Sequence, residues 1–138
     1  MSILFINGSP NENGNTVKLT AKFLEGKEYE TLHLADYRIF AYGQGFEDDE
    51  FNDVLVKIKE HDTIVIGSPL YWHSMAASVR ILLERFYGYV REDAFAGKDL
   101  YFVFQGASPT QAQLEAGEYT MKRFSKLYGF NYKEMITQ

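Results

Sequence analysis

The stretch from Ile3 to Thr16 constrains this chain more than any other. It reads Ile-Leu-Phe-Ile-Asn-Gly-Ser-Pro-Asn-Glu-Asn-Gly-Asn-Thr: an apolar run, a polar turn, then a helix start. An unbroken apolar run such as Ile3 to Ile6 is the pattern of a parallel strand covered on both faces. Gly8 and Pro10 stop it. Asn15 or Thr16 is placed to cap a helix on which Val17, Ala21 and Leu24 share a face, and Gly26 ends that run. The first turn of a helix carries free N–H groups and the positive end of the helix dipole, so it attracts anions. Ser9 and Thr16 add hydroxyl donors, Asn11, Asn13 and Asn15 add amide donors, and Gly14 lets backbone approach closely. This pattern reads as a phosphate cradle. The same residue types also build ordinary turns, so the loop alone leaves both readings open.

Two familiar nucleotide loops do not fit. Gly8 to Gly14 outlines a P-loop, but the spacing is one residue too long and Asn15 stands where the lysine belongs. The dinucleotide fingerprint needs three glycines, and only Gly8 and Gly14 are present. The expected anion is a phosphomonoester without magnesium.

The rest of the chain repeats the strand–helix alternation. Tyr29 to Leu34 alternates, with Leu32 and Leu34 on one side, as an edge strand does. Asp36 to Gly45 reads as a loop. Asp48 to Glu50 place acid at the start of a helix carrying Phe51, Val54, Leu55 and Ile58. Thr63 to Gly67 is a second buried strand, followed by a loop from Ser68 to Ser74 and a helix from about Met75 to Tyr89. Leu100 to Gln105 is the fourth strand in order, Gly106 to Pro109 its loop, and Leu114, Gly117, Met121, Phe124 and Tyr128 mark the last helix, capped by Gly129. Tyr132 to Ile136 is the fifth strand. This order predicts an α/β domain with a doubly wound, five-stranded parallel sheet; right-handed crossovers leave two common strand orders, and five strands with one phosphate loop after the first suit the order 2-1-3-4-5. Ligands of such sheets bind beyond the strands' carboxyl ends, at the switch point between the first and third strands. Three loops would meet there: Ser9 to Thr16, Pro69 to Ser74 and Gly106 to Pro109.

Composition narrows the function. The 138 residues are expected to form one domain, 1–138, with a formal charge of −5 that argues against a general nucleic-acid binder. No apolar run is long enough to span a membrane, and strand-like sequence begins at once after Met1-Ser2, leaving no room for a signal peptide. There is no cysteine, so disulfides, a thiol nucleophile and cysteine-bound metal are excluded, and a cytoplasmic location is the default expectation. No His, Asp and Glu spacing suggests a metal site.

Asn7-Gly8-Ser9-Pro10 with Gly14-Asn15-Thr16, followed by Gly67-Ser68-Pro69-Leu70-Tyr71-Trp72-His73-Ser74-Met75, resembles the NADPH-dependent FMN reductase-like flavoproteins, which are flavodoxin-like. The resemblance covers nearly the whole chain. It implies FMN bound non-covalently. Ser9, Asn15 and Thr16, with the backbone of Asn11, Asn13 and Gly14, would hold its phosphate. Pro69, Leu70, Tyr71, Trp72, His73 and Ser74 would line the isoalloxazine ring, and Gly106, Ala107 and Ser108 would close its other edge. Many relatives carry cysteines after the second strand. Here Phe40 to Phe46 has none, which removes an iron–sulfur cluster.

The implied function is an oxidoreductase in which NADPH or NADH reduces FMN, which then reduces a quinone, flavin, azo or nitro compound. The alternatives are a flavodoxin-like electron carrier and a module that has lost FMN. No catalytic side chain is assigned. His73 reads as a loop donor, His33 and His61 as structural or solvated, and Lys18 as solvent-facing. Ser68 and Ser108 lack partners for a hydrolase triad. A helix after the fifth strand is missing. Its absence would bare one face of Leu100 to Gln105, and this predicts a homodimer or higher homo-oligomer.

Overall fold

The computed structural model describes residues 2–138. Strand β1 (Ile3–Asn7) is buried along its whole length, as an apolar run between two helical layers must be. It pairs in parallel with β2 (Glu30–His33) on one side and β3 (Thr63–Tyr71) on the other. Strand β5 (Asp99–Gln105) pairs in parallel with β3, and β6 (Asn131–Ile136) with β5. The sheet order is therefore β2-β1-β3-β5-β6, the expected flavodoxin-like arrangement.

The sequence did not suggest β4 (Ser74–Met75). Instead of ending at Gly67, β3 continues to Tyr71 and folds back on itself, with Leu70 opposite Met75 and Tyr71 opposite Ser74. Half of the expected loop is thus a hairpin. The helix that follows, α3 (Ala77–Phe86), is shorter at both ends than the reading from Met75 to Tyr89.

The alternation of each strand divides the core. Leu4, Ile6, Ile64, Ile66, Leu100, Phe102 and Phe104 face one way, toward α2 (Phe51–Lys59), α3 and α4 (Gln111–Tyr128). Ile3, Phe5, Val65 and Val103 face the other, toward Leu24 and α1 (Asn15–Phe23). Glycines allow the closest approaches. A Cβ on Gly67 would lie 2.7 Å from Phe5 and 2.8 Å from Thr16, so the first turn of α1 sits down on β3 there.

This packing corrects the expectation of a bare face on Leu100 to Gln105. Helix α1 lies across β1, β3 and β5 rather than over the first two strands. Val103 is 0% and Gln105 6% exposed. Tyr101 is partly buried against the α1 layer, with its ring 5.2 Å from that of Phe23. A homodimer therefore draws no support from β5. No described helix is long and apolar enough to cross a membrane.

Candidate functional site

Strand β1 ends in Asn7, which is buried and builds the following loop. Its Oδ1 accepts the Ser9 N–H at 3.0 Å, and its Nδ2 donates to the Asn11 carbonyl at 3.2 Å. The same amide lies 3.0 Å from His33 Nδ1 on the neighbouring strand β2. Ser9, also buried, accepts the Asn11 N–H through Oγ at 3.1 Å. Gly8 is pinned to two elements: its N–H donates to the Gly67 carbonyl at 2.8 Å, and its own carbonyl accepts from Ser78 Oγ at 2.7 Å. The loop is thus held rigidly by its own polar groups.

Helix α1 then begins without a side-chain cap. Its N-cap is Gly14, which corrects the expectation that Asn15 or Thr16 fills that place. The first helical bond runs from Lys18 N–H to Gly14 carbonyl at 3.0 Å. The N–H groups of Asn15, Thr16 and Val17 precede that bond, so the helix itself leaves them without partners. Ser9 Oγ braces the loop as an acceptor and keeps its own proton to give, and Asn11, Asn13 and Asn15 stand exposed around it. Thr16 is only 1% exposed, and its Oγ accepts from Gln105 Nε2 at 2.9 Å.

The β3–β4 hairpin makes the second part. Its two turn residues, Trp72 and His73, have φ of 50° and 68°. A two-residue turn with both φ values positive is what the twist of a hairpin demands, and Asn-Gly normally supplies it. A tryptophan and a histidine hold it here at some conformational cost. Ser68, beneath the hairpin, stabilises it: Oγ accepts the Ala76 N–H at 2.9 Å and donates to the Pro69 carbonyl at 2.8 Å. That accounts for Ser68 structurally, without a nucleophilic role.

Leu70, Trp72 and His73 line a cleft of about 350 Å³ with Gly106, Ala107, Ser108, Pro109 and Gln113. Ligand clefts typically enclose roughly 300–1,000 Å³. Gly106 is where β5 leaves the sheet, and a Cβ there would come within 3.0 Å of Leu70. The structure thus joins six of the residues named from sequence in one cleft. Pro69 is buried within β3, and Tyr71 and Ser74 do not line the cleft. Residues 8–16 lie at the same end of the sheet but do not line it either. Asn7, Gln105 and Gln113 were missed. Gln113 had a local signal, because Thr-x-x-Gln at 110–113 is a capping-box pattern, and the structure forms that box.

A larger open groove of about 710 Å³ lies at the opposite end of the sheet, beside Lys27, Tyr29, Glu30 and His61. Its charges serve one another. Glu30 meets Lys57 at 2.8 Å and His61 at 3.3 Å, and the Lys57 hydrogen bond holds the Glu30 carboxyl below its ordinary pKa. Among the described residues no cluster of His, Asp and Glu is arranged to hold a metal ion.

Comparison with known proteins agrees with this architecture. An iron-sulfur flavoprotein of Archaeoglobus fulgidus is 37% identical over 98 residues, covering 62% of this chain and 48% of that protein. The Bacillus subtilis protein YwqN, described as a putative NAD(P)H-dependent FMN-containing oxidoreductase, is 26% identical over 103 residues, covering 69% of this chain and 57% of its own. The chain spans about half the length of the curated relatives it matches. Among solved structures, the Trp repressor binding protein of Bacillus subtilis superimposes with a TM-score of 0.78 at 18% identity, over 99% of this chain and 85% of that one. Residues 1–131 match the family described as NADPH-dependent FMN reductase, and the chain belongs to that family.

Proposed function

We propose that residues 1–138 act as a single FMN-binding domain of an NAD(P)H-dependent oxidoreductase. Its acceptor is a small molecule of the quinone, flavin, azo or nitro class, and its location is the cytoplasm. One observation carries the reading: the unpartnered N–H groups at the start of α1 and the cleft between the β3–β4 turn and the loop after β5 share one end of the sheet.

The residues present fit FMN. The loop from Ser9 to Thr16 offers backbone N–H groups, amides and a buried hydroxyl, all neutral donors suited to a phosphomonoester. The cleft offers an aromatic side chain, a histidine and three small residues, which leave room for a flat ring. When bound, FMN would supply two-electron chemistry between a nicotinamide and the acceptor. The protein orients and shields it. Asn15, Thr16 and Val17 hold the phosphate through their N–H groups, and backbone N–H groups of the β3–β4 turn stabilise negative charge at the ring. Trp72, which lines the cleft, would shield the ring from water. His73 keeps its Nδ1 engaged with Gln113 at 2.6 Å and is assigned no proton transfer. Accordingly His73→Ala lowers the rate modestly, well short of the roughly hundredfold loss that follows removal of a general acid or base.

Two measurements test this. Apo-protein titrated with FMN quenches flavin fluorescence with an affinity on the order of tens of micromolar or tighter. Anaerobic stopped-flow mixing with NADPH or NADH then bleaches the bound flavin. Absence of quenching defeats the reading in favour of a module without cofactor. Binding without bleaching by either nicotinamide replaces it with an electron carrier.

A further inference from the structure

Beneath the loop that precedes α1 lies a short chain of two amides and one hydroxyl, buried at Thr16 and Gln105 and exposed at Gln138. Gln138 Nε2 donates to Gln105 Oε1 at 3.2 Å, and Gln105 Nε2 donates to Thr16 Oγ1 at 2.9 Å. As placed in the structure, the chain runs from Gln138 through Gln105 to Thr16. With its carbonyl oxygen engaged by Gln138, Gln105 presents its NH2 group to Thr16. Thr16 Oγ1 is therefore an acceptor in that bond, and its own proton must go elsewhere. Among the described residues no acceptor takes it, although Thr16 is 1% exposed and Gln105 6%. Like the buried Ser9 Oγ, Thr16 Oγ1 accepts one bond and keeps a proton to give. It sits on the second residue of α1, in the same turn as the unpartnered N–H groups. The methyl group of Thr16 cannot exchange places with the hydroxyl at no cost, because it packs at Gly67, where an added Cβ would meet it at 2.8 Å.

We infer that Gln105 is a positioning residue for the cofactor phosphate. By donating to Thr16 Oγ1 it obliges that hydroxyl to donate its proton to the phosphomonoester. The inference rests on the proposed binding of FMN. It concerns the phosphate end alone, since Gln105 lies at the end of β5 before the cleft-lining loop begins.

Riboflavin has the same ring without the phosphate, so the ratio of FMN to riboflavin affinity isolates this effect. Gln105→Met removes the donor at similar volume and leaves the Thr16 hydroxyl free to rotate. FMN affinity is expected to fall about three- to tenfold, a part of what a hydrogen bond to a charged group is worth, with riboflavin affinity unchanged. Thr16→Val lowers FMN affinity about tenfold or more, and Gln105→Met has no further effect in that background. Gln105→Glu is the second variant, should the first fail to fold. It turns the Thr16 proton toward the new carboxylate and lowers the FMN to riboflavin ratio further. A ratio unchanged in the folded variants, with FMN still preferred by the wild type, overturns the role of Gln105 alone. Wild-type protein that binds no FMN overturns the cofactor reading and this inference together. Equal losses for both flavins also overturn it, since they indicate a merely structural residue.

Discussion

Gln113 Nε2 donates to His73 Nδ1 at 2.6 Å, joining the first turn of α4 to the tip of the β3–β4 hairpin. Gln113 is engaged at both ends, because its Oε1 accepts the Thr110 N–H at 2.9 Å in the capping box. An NH2 donor at Nδ1 requires that nitrogen to be the unprotonated one, so the neutral ring carries its proton on Nε2. Gln113→Glu keeps the cap, since a glutamate serves that position equally well. It replaces the donor with an acceptor and draws the proton to Nδ1. Long-range proton–nitrogen spectra of the imidazole should show the Nε2–H form in the wild type and Nδ1–H in the variant, with the melting temperature nearly the same. An Nδ1–H ring in the wild type contradicts the clamp.

The positive φ angles of Trp72 and His73 define a second expectation. A bulky residue in the left-handed region costs on the order of 1 kcal/mol. Replacing the pair by Trp72→Asn with His73→Gly should stabilise the fold by about 1–2 kcal/mol, raising the melting temperature by about 3–7 °C. Flavin affinity should fall, because Trp72, 93% exposed beside the cleft, is what the strain holds in place. Thermal unfolding and flavin titration on one preparation read both changes. A variant no more stable than His73→Ala, which loses the Gln113 bond but keeps the turn, shows that the turn is unstrained.

The ion pair of Arg85 and Asp49 predicts acid sensitivity. Arg85 also donates to the Phe40 carbonyl at 2.9 Å and lies 4.7 Å from the Phe51 ring centre, so it binds the loop before α2 to α3. The hydrogen bond from Arg85 holds the Asp49 carboxyl below its ordinary range, against an opposing contribution from burial. A carboxyl with a depressed folded-state pKa stabilises the fold above its unfolded pKa of about 4 and loses that stabilisation as the pH falls through the lower value. Asp49→Asn should flatten the loss of stability below about pH 4. Arg85→Met should cost about 2–3 kcal/mol at neutral pH, because it leaves Asp49 partly buried without its partner. Urea unfolding at several pH values measures both.

The sequence made the strands, their order and the site end of the sheet legible, for local reasons. Ile3 to Ile6 and Thr63 to Gly67 are buried on both faces, and their apolar runs say so. What stayed hidden depends on contacts or on unusual choices. The hairpin was missed because Trp72-His73 replaces the usual Asn-Gly, so its turn carries no signal. The α1 cap was misplaced because Gly14 caps with backbone alone, while Asn15 and Thr16 look like better caps. How far α1 reaches over β5 is not encoded in its periodicity, and so the buried state of Val103 and Gln105 was not foreseen. The bond between Gln105 and Thr16 joins residues 89 apart, beyond the reach of any local pattern.

Gly67 supplies the last prediction. It pairs with Asn7 of β1 and Val103 of β5, and its carbonyl accepts the Gly8 N–H at 2.8 Å. Its conformation does not require glycine; its surroundings do. A Cβ would lie 2.7 Å from a Phe5 ring carbon and 2.8 Å from the Thr16 methyl group. Phe5 is buried and cannot swing away, so the strain must fall on α1 and on the loop that Gly8 anchors. Gly67→Ala should cost about 1–3 kcal/mol, the usual price of overpacking a close-packed interior. It should also weaken FMN more than riboflavin, because the displaced first turn of α1 is the phosphate end of the site. Gly45→Ala is the control: nothing lies within 4 Å of its added Cβ, and the stability should stay within about 0.5 kcal/mol. Denaturant unfolding and paired flavin titrations decide the matter. A Gly67→Ala protein as stable as the control, with the same preference for FMN, shows that α1 has room to move away from β3 and that the loop is not set by this contact.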